Sequence, residues 1–405
     1  MDQKNDSKQT PILCHDDTCT GCSACANICP VNAIELKPND EGFYRPNIDA
    51  SQCIGCLLCE KHCPICNPLL NKTAQKEPRT FAAWHKSPEV RRVSSSGGAF
   101  SALAKTILDD DGCVVGAAYD ENMQVRHIMI ESEHELSRLR LSKYVQSFIG
   151  DIFKTLKKQL EQGRKVLFVG TPCQAAGLKS FLNRSYDNLI VCDFICHGVP
   201  SAMVFFQWVK WLEKIYSKKI ISVNFRDKRK GWYDPIRVLT FSDGHKAVAN
   251  VKEDSYVVGY YGNCDLQYCC YDCQFLKFPH VSDLTLGDYW GIGKTIHFEN
   301  KSEIENGISL IIANNDHGLS FVLQCHDIFL VERDVDDALI RNQAGVHSSL
   351  KNPQRDSFYQ DLKAYGFEFV RQKYMQLHGI KRLISLFKRY SPRLLLIYLR
   401  NRNLK

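Results

Sequence analysis

Eight cysteines near the start of the chain fall into two copies of one pattern. Cys19, Cys22, Cys25 and Cys29 are followed by Pro30, and thirty-four positions later Cys53, Cys56, Cys59 and Cys63 are followed by Pro64. Each copy reads C-x2-C-x2-C-x3-C-P, the spacing that wraps thiolates around a 4Fe–4S cube. Three sulfurs of each tight loop point at one cube, and the fourth, set before a helix-stopping proline, reaches across to the other. Cube one therefore takes Cys19, Cys22, Cys25 and Cys63, and cube two takes Cys53, Cys56, Cys59 and Cys29. Gly21 and Gly55 hold matched places where backbone must pass close to inorganic sulfide. A zinc knuckle or a disulfide frame is the competing explanation, but zinc pairs its ligands differently from this doubled, in-register run. The pattern implies a small cofactor-built module that moves electrons.

Such a module needs only a fraction of 405 residues, so a second, larger domain is expected. A hydrophobic content of 44% with 11% aromatics suits a soluble globular core. The first residues are polar and charged, with no apolar signal core, and exposed low-potential cubes need a reducing compartment, so a cytoplasmic protein is expected. The longest apolar run near the end, residues 394–399, is far too short to span a membrane. The net charge of +7 belongs to the tail: residues 371–405 carry ten Lys or Arg and no Asp or Glu, leaving 42 basic against 45 acidic side chains in the rest. No nucleic-acid-binding core is implied. The tail pattern Ile380, Leu383, Ile384, Phe387, with Lys381, Arg382, Lys388 and Arg389 largely off that stripe, predicts a basic amphipathic helix. It suits peripheral contact with an anionic membrane surface or, equally, docking on its own domain.

Between the cluster loops, Ile34 to Leu36 and Arg45 to Ile48 flank Asp40-Glu41-Gly42 as a short hairpin. Residues 67–78 read as a polar linker. Beyond it strands and helices alternate. Residues 113–118 and 125–130 read as strands and 146–162 as one long helix ended by Gly163. Residues 165–169 and 189–195 are two apolar strands, each turning into a helix, at Gly170-Thr171-Pro172-Cys173 and at Cys196-His197-Gly198-Val199-Pro200-Ser201. Consecutive strand–turn–helix units imply parallel strands in a covered sheet. Hairpin-like segments follow around Asp243-Gly244, then a strand at 308–313 with helices towards Phe329.

Cys173 and Cys196 each fall where a strand's carboxyl end meets a helix amino end, the edge where α/β sheets bind ligands. Cys264 and the run Cys269-Cys270-Tyr271-Asp272-Cys273 come later. Cys173, Cys196, Cys270 and Cys273 make the best ligand set for a third cube, with Cys264 or Cys269 as a substitute. Zinc suits four thiolates as well, and buried free cysteines can simply pack. Cys14, Cys66, Cys113, Cys192 and Cys325 lack partner spacing and read as structural.

The segments now described resemble the family formed by the beta subunits of coenzyme F420 hydrogenases and dehydrogenases. The matching stretches are Ser94 to Gly98, Ser142-Lys143-Tyr144-Val145-Gln146-Ser147, Gly170 to Gln174, Cys196 to Ser201, Asn224 to Lys228 with Gly231-Trp232, and Asp283 to Gly291. The resemblance covers about residues 85–295, and the cluster module matches members in which such a module is fused on. It implies FAD in the large domain with an iron–sulfur cluster nearby. By position, Ser95, Ser96, Gly97, Gly98, Lys143, Gln146 and Ser147 would hold its phosphates and ribityl chain, and Asp288-Tyr289-Trp290-Gly291 would border the flavin ring or form a buried aromatic corner. Small residues leading into a helix do let backbone N–H groups approach a pyrophosphate, and Lys143 adds countercharge. The family more often has Ser where Cys269 stands, which leaves the ligand at 269 or 270 open. His197 reads as a hydrogen-bonding residue or a catalytic acid; no residue is assigned as catalytic.

The expected architecture is α/β: a two-cluster ferredoxin-like module over residues 1–67, a linker over 68–84, a large mixed-sheet flavin domain over 85–370 and the basic amphipathic tail over 371–405. The expected function is an iron–sulfur flavoprotein oxidoreductase passing electrons between 4Fe–4S clusters and FAD, with a ferredoxin or a reduced deazaflavin coenzyme as donor. Two rivals stand beside it: an electron-transfer subunit of a hydrogenase or dehydrogenase complex with no substrate site of its own, and an assembly factor whose clusters are only staples.

Overall fold

The computed structural model describes residues 11–68 and 77–377. The strands among them are, in chain order, β1 (Ile34–Pro38), β2 (Tyr44–Ile48), β3 (Arg79–His85), β4 (Cys113–Tyr119), β5 (Val125–Ile130), β6 (Val166–Val169), β7 (Leu189–Phe194), β8 (Ile220–Asp227), β9 (Ile236–Phe241), β10 (Lys246–Asn250), β11 (Leu284–Asp288), β12 (Ser309–Ala313) and β13 (Ile328–Arg333). Eight of them form one mixed sheet in the order β13-β3-β12-β11-β7-β6-β4-β5. Its middle, β11-β7-β6-β4, is parallel, and antiparallel strands flank it on both sides. The two strand–turn–helix units expected from the sequence are the β6 and β7 units, paired in parallel with Val166 opposite Leu189.

Period-2 alternation builds the layers. Val114, Leu167, Ile190 and Cys192 face a core shared with the helices Ala99–Leu108 and Asp316–Gln324. Their neighbours Val115, Val166, Phe168 and Val191 face the opposite core, shared with Ile152–Glu161 and Pro172–Leu182. Strands buried on both faces read as continuous apolar runs, which is why β6 and β7 were legible. A three-stranded antiparallel sheet, β10-β9-β8, packs with the helices Ala202–Tyr216 and Arg355–Tyr365 around a third core.

Two expectations change. The expected linker ends early, because β3 begins at Arg79 and sits inside the sheet between β12 and β13; its Phe81-Ala82-Ala83-Trp84 run is buried on alternate faces. The expected helix over 146–162 is Ile152–Glu161 only. The preceding residues run along β5 instead, with the Phe148 carbonyl accepting from His127 N–H at 2.8 Å and Phe148 N–H donating to Val125 at 2.9 Å. The amphipathic stripe from Ile380 lies outside the described residues. No helix among the described residues is long and apolar enough to cross a membrane.

The cluster module is clasped to the large domain through its β1–β2 hairpin. Phe43, fully buried, enters the third core edge-on to Tyr359 at 6.3 Å. Ser201 Oγ donates to the Glu41 carbonyl at 2.5 Å. Arg355, 2% exposed, donates from both Nη atoms to the Glu41 carboxylate, Nη1 at 2.6 Å, and from Nε to the Leu266 carbonyl at 3.3 Å. Removing one partner of a buried pair costs about 3–5 kcal/mol; Glu41 keeps some access to water, so Arg355→Leu should cost about 2–3 kcal/mol on the same basis. The check is the denaturant midpoint followed by tryptophan fluorescence, with Arg355→Lys expected to recover part of the loss.

Candidate functional site

The twin cysteine loops take the same local path. Gly21 and Ser23 in the first, and Gly55 and Leu57 in the second, all have positive φ, between 58° and 70°. That left-handed alternation curls each loop so that its cysteines face inward, and glycine is the residue that takes it without strain. Short helices, Ala24–Ile28 and Leu58–Lys61, follow. Cys19, Cys22, Cys25 and Cys63 surround one pocket. Cys29, Cys53, Cys56 and Cys59 surround another. Each set thus takes three sulfurs from one loop and the crossing cysteine from the other. Cys29 Sγ accepts from Ala33 N–H at 3.2 Å. Among the described residues no three His, Cys, Asp or Glu form a group that could hold a single metal ion.

The third cysteine set lies at the carboxyl edge of the parallel strands. Cys173 sits in the first turn of Pro172–Leu182, after β6, where Thr171 and Gln174 form a reciprocal cap. Cys196 follows β7, and Cys270 and Cys273 belong to and follow the turn Tyr268–Asp272. All four line one cavity of about 260 Å³. Thr171 Oγ1 is 3.1 Å from Cys173 Sγ, and Val199 N–H donates to Cys270 Sγ at 3.3 Å. Contact with Cys269, then the Val199 amide, pulls the Cys270 thiol below its usual range, while that same contact and burial push Cys269 up. The Val199 amide favours thiolate at Cys270, and Cys269 lines the same cavity. Cys264 lies elsewhere, in the third core, where its Sγ accepts from Asn352 Nδ2 at 3.2 Å. Its place in that core removes it as a substitute ligand.

A larger cavity of about 470 Å³ opens on the same edge, lined by Ser95, Ser96, Gly98, Lys143, Gln146 and Ser147. Its size falls in the range of small-molecule sites, about 300–1,000 Å³. Ser95 Oγ accepts from Ser142 N–H at 3.1 Å, fixing the serine loop to the Ser142–Ser147 segment. Lys143 Nζ donates to the carbonyls of Arg138 at 3.0 Å and Arg140 at 2.6 Å, and burial pushes its pKa down to about 7. Lys228 Nζ braces the loop from behind through the Ser96 and Asn306 carbonyls at 2.5 and 2.7 Å. Gln146, 4% exposed, is turned to the cluster module and accepts from Tyr44 N–H at 2.9 Å.

Gly97 does not line the cavity. A Cβ there would lie 2.5 Å from the Ala83 carbonyl and 2.6 Å from Ser309 N, so its glycine lets the loop lie against β3 and β12. Gly98 is the helix cap at φ +92°. Asp288 and Trp290 reach the cavity wall, whereas Tyr289 is fully buried in the core beneath. Two wall residues carry no sequence assignment. Arg226 pairs with Asp288 at 2.9 and 3.0 Å over the Trp290 ring. His127 meets Ser147 Oγ at 2.8 Å and the Val169 carbonyl at 3.0 Å, and burial pushes it down to about 4. A histidine at an inward position of β5 was the available signal. His197 lines both cavities and holds Asn263 Oδ1 at 2.8 Å, which is a hydrogen-bonding role.

The pockets share walls in series. Thr20 and Ile65 of the cluster module line both the cube-one pocket and the third cysteine cavity. Cys173, Cys196 and His197 line both that cavity and the larger one. Gly177, one helical turn after Cys173, meets Cys22: a Cβ there would lie 2.8 Å from Cys22 Cβ. The side-chain-free turn lets the cube-one loop pack directly on the helix that carries Cys173.

Three family descriptions match the chain. Residues 18–66 match the 4Fe-4S dicluster domain, residues 80–154 the N-terminal part of the coenzyme F420 hydrogenase/dehydrogenase beta subunit, and residues 163–336 its C terminus. A subunit of the F(420)H(2) dehydrogenase of Methanosarcina mazei is 24% identical over 274 residues, 65% of this chain and 74% of that protein. The methylamine utilization ferredoxin-type protein MauM of Methylobacillus flagellatus is 40% identical over 64 residues, 13% of this chain and 27% of that protein, so this likeness reaches the cluster module alone. A chain of the F420-reducing NiFe hydrogenase complex from Methanosarcina barkeri superposes with a TM-score of 0.42 at 16% identity, over 76% of this chain and 92% of that one, a likeness too slight to carry an argument.

Proposed function

The chain belongs to the family of coenzyme F420 hydrogenase/dehydrogenase beta subunits, with a 4Fe–4S dicluster domain ahead of the family region, and we propose that it is an iron–sulfur flavoprotein carrying electrons between a surface redox partner and FAD. The observation that carries this reading is the series of shared walls: cube-one pocket, third cysteine cavity, large cavity. Cubes pass single electrons and a flavin pairs them. Cys19, Cys22, Cys25 and Cys63 would hold cube one, Cys29, Cys53, Cys56 and Cys59 cube two, and Cys173, Cys196, Cys270 and Cys273 a third cube. Backbone N–H groups on Cys29 and Cys270 stabilise thiolate there. The serine loop ahead of Ala99–Leu108 and Lys143 suit the diphosphate of FAD, and Gln146 and Ser147 line the same cavity.

Cube two is the outer end. Cys56 and the neighbouring Ile54 are exposed, so a ferredoxin or another redox subunit would meet the chain there. The substrate end faces a further cleft of about 740 Å³, which shares Tyr144, Arg226, Tyr261 and Trp290 with the large cavity. That cleft favours an oxidoreductase with a substrate site of its own, a deazaflavin coenzyme being one candidate reactant. The relative's being a dehydrogenase subunit supports the second reading, an electron-transfer subunit of a larger complex. Copurification with a catalytic partner, and no turnover without it, would favour that reading.

The test is the flavin. Denaturing anaerobically reconstituted protein should release FAD rather than FMN, and a colourless supernatant would remove the flavin from this reading. Affinity should also depend on pH. Burial holds the Lys143 ammonium at about 7, and a neighbouring diphosphate favours its charged form. FAD binding then takes up a proton above pH 7, so affinity should fall as pH rises, by at most about tenfold per pH unit. Lys143→Met should weaken binding and flatten that slope, measured as the FAD dissociation constant at pH 6.5 and 8.5.

A further inference from the structure

Cube one's pocket has five thiols for four corners. Cys14 stands on its wall beside Cys19, Cys22, Cys25 and Cys63, and Cys14 Sγ lies 3.9 Å from Cys63 Sγ. By spacing, Cys14 reads as a structural cysteine, because it lies outside the tandem pattern. The segment that brings it there is fastened on several sides. Ile12 N–H donates to the Glu60 carboxylate. The His15 carbonyl accepts from Cys19 N–H at 2.9 Å, which closes a turn between Cys14 and the first loop. Asp16 pairs with Arg45 at 2.7 Å and accepts from Asn39 Nδ2 at 2.8 Å. Cys66, three residues beyond Cys63, also touches the Cys63 thiol but is exposed and does not line this pocket.

We propose that Cys14 is a reserve ligand of cube one, placed to take the iron that Cys63 releases. This rests on the assignment of cube one to Cys19, Cys22, Cys25 and Cys63. Cys63 is the one member of that set supplied by the second loop, so any shift between the two loops strains its iron–sulfur bond first. Cys14 is joined to the first loop through the His15 carbonyl, and the bond from Ile12 to Glu60 ties the same segment to the second loop, which holds its thiol at the wall beside Cys63. In the exchange one iron–sulfur bond to Cys63 breaks and one to Cys14 forms. The proton leaves the Cys14 thiol and ends on Cys63, and no electron changes hands. A cube with this reserve would survive loss or alkylation of its crossing ligand.

The test uses the full chain with alanine variants reconstituted anaerobically, since serine can itself bind iron. Cys63→Ala should keep the wild-type iron content within about one atom, show no oxidised three-iron resonance and give shifted resonances when reduced. Cys14→Ala should match the wild type, and the double variant should lose about four iron atoms. Native-state alkylation read by mass spectrometry gives a second measure that does not need the double variant to fold. Cys14 should be labelled in the wild type and protected in Cys63→Ala, with Cys66 labelled in both. Loss of about four atoms by Cys63→Ala alone, a three-iron resonance with Cys14 still labelled, or a double variant that keeps its cube would overturn the proposal. If Cys22→Ala with Cys25→Ala also leaves the iron count at its wild-type value, the cube-one assignment itself fails and the proposal falls with it.

Discussion

Replacing Cys173 and Cys273 together by alanine should lower the iron content of anaerobically reconstituted protein from about twelve atoms to about eight. The eight that remain belong to the tandem loops, whose cysteines line separate pockets. FAD should stay bound, because neither residue supplies the serine loop or Lys143. On the proposed route, what should collapse is the reduction of that flavin by a reduced ferredoxin, since the cavity between the cube-one pocket and the proposed flavin site would have lost its carrier. The argument rests on placement: Cys173 and Cys273 come from segments a hundred residues apart, yet line one cavity with Cys196 and Cys270. Cys264→Ala is the control and should leave iron unchanged, its thiol being packed in the third core. An unchanged iron count in the double variant would make these cysteines packing residues. A drop to about eight atoms with flavin reduction intact would keep the third cube and take it off the route.

The gathering of the eight cysteines around two pockets was legible because tandem spacing encodes local geometry: each loop carries three cysteines of one pocket within seven residues. The central strands were legible for a different reason, β6 and β7 being buried on both faces and so continuously apolar. The third set could be assembled only from the rule that ligands gather at the carboxyl edge of parallel strands. Spacing could not separate Cys269 from Cys270, because the Val199 amide that meets the Cys270 thiol comes from a loop seventy residues away. Gly97 was misjudged for a related reason. Its glycine answers to β3 and β12, partners remote in sequence, rather than to a ligand. Residues 146–151 carry helix-compatible periodicity, yet pairing with the edge of β5 outweighs one further turn of helix, and that pairing sets Gln146 and Ser147 at the cavity. Local propensity is a weak prior wherever a sheet edge offers hydrogen bonds.

Asp288→Ala should be among the most destabilising single changes in the large domain and should empty the proposed flavin site. The carboxylate ends β11 and accepts three hydrogen bonds, from Arg226 Nη1 and Nη2 at 2.9 and 3.0 Å and from Trp232 Nε1 at 2.7 Å. Arg226 is 7% exposed and lies over Trp290, which stacks on Trp232 at 5.0 Å. Truncation therefore leaves a guanidinium and an indole N–H buried without their acceptor. Breaking a buried charged pair from one side costs about 3–5 kcal/mol. Asp288→Asn keeps the shape and one acceptor oxygen, and should cost about 1–3 kcal/mol. The double change Arg226→Met with Asp288→Leu separates the two roles, because removing both charges removes the orphaned guanidinium and leaves only the Trp232 N–H without its acceptor. Its unfolding midpoint should return towards the wild type, whereas FAD retention should not, since the cation and the carboxylate that shape the cavity wall are both gone. A double variant that regains FAD along with stability would show that the pair only holds the fold together, and that the flavin is gripped from the side of Ser95, Lys143 and Ser147.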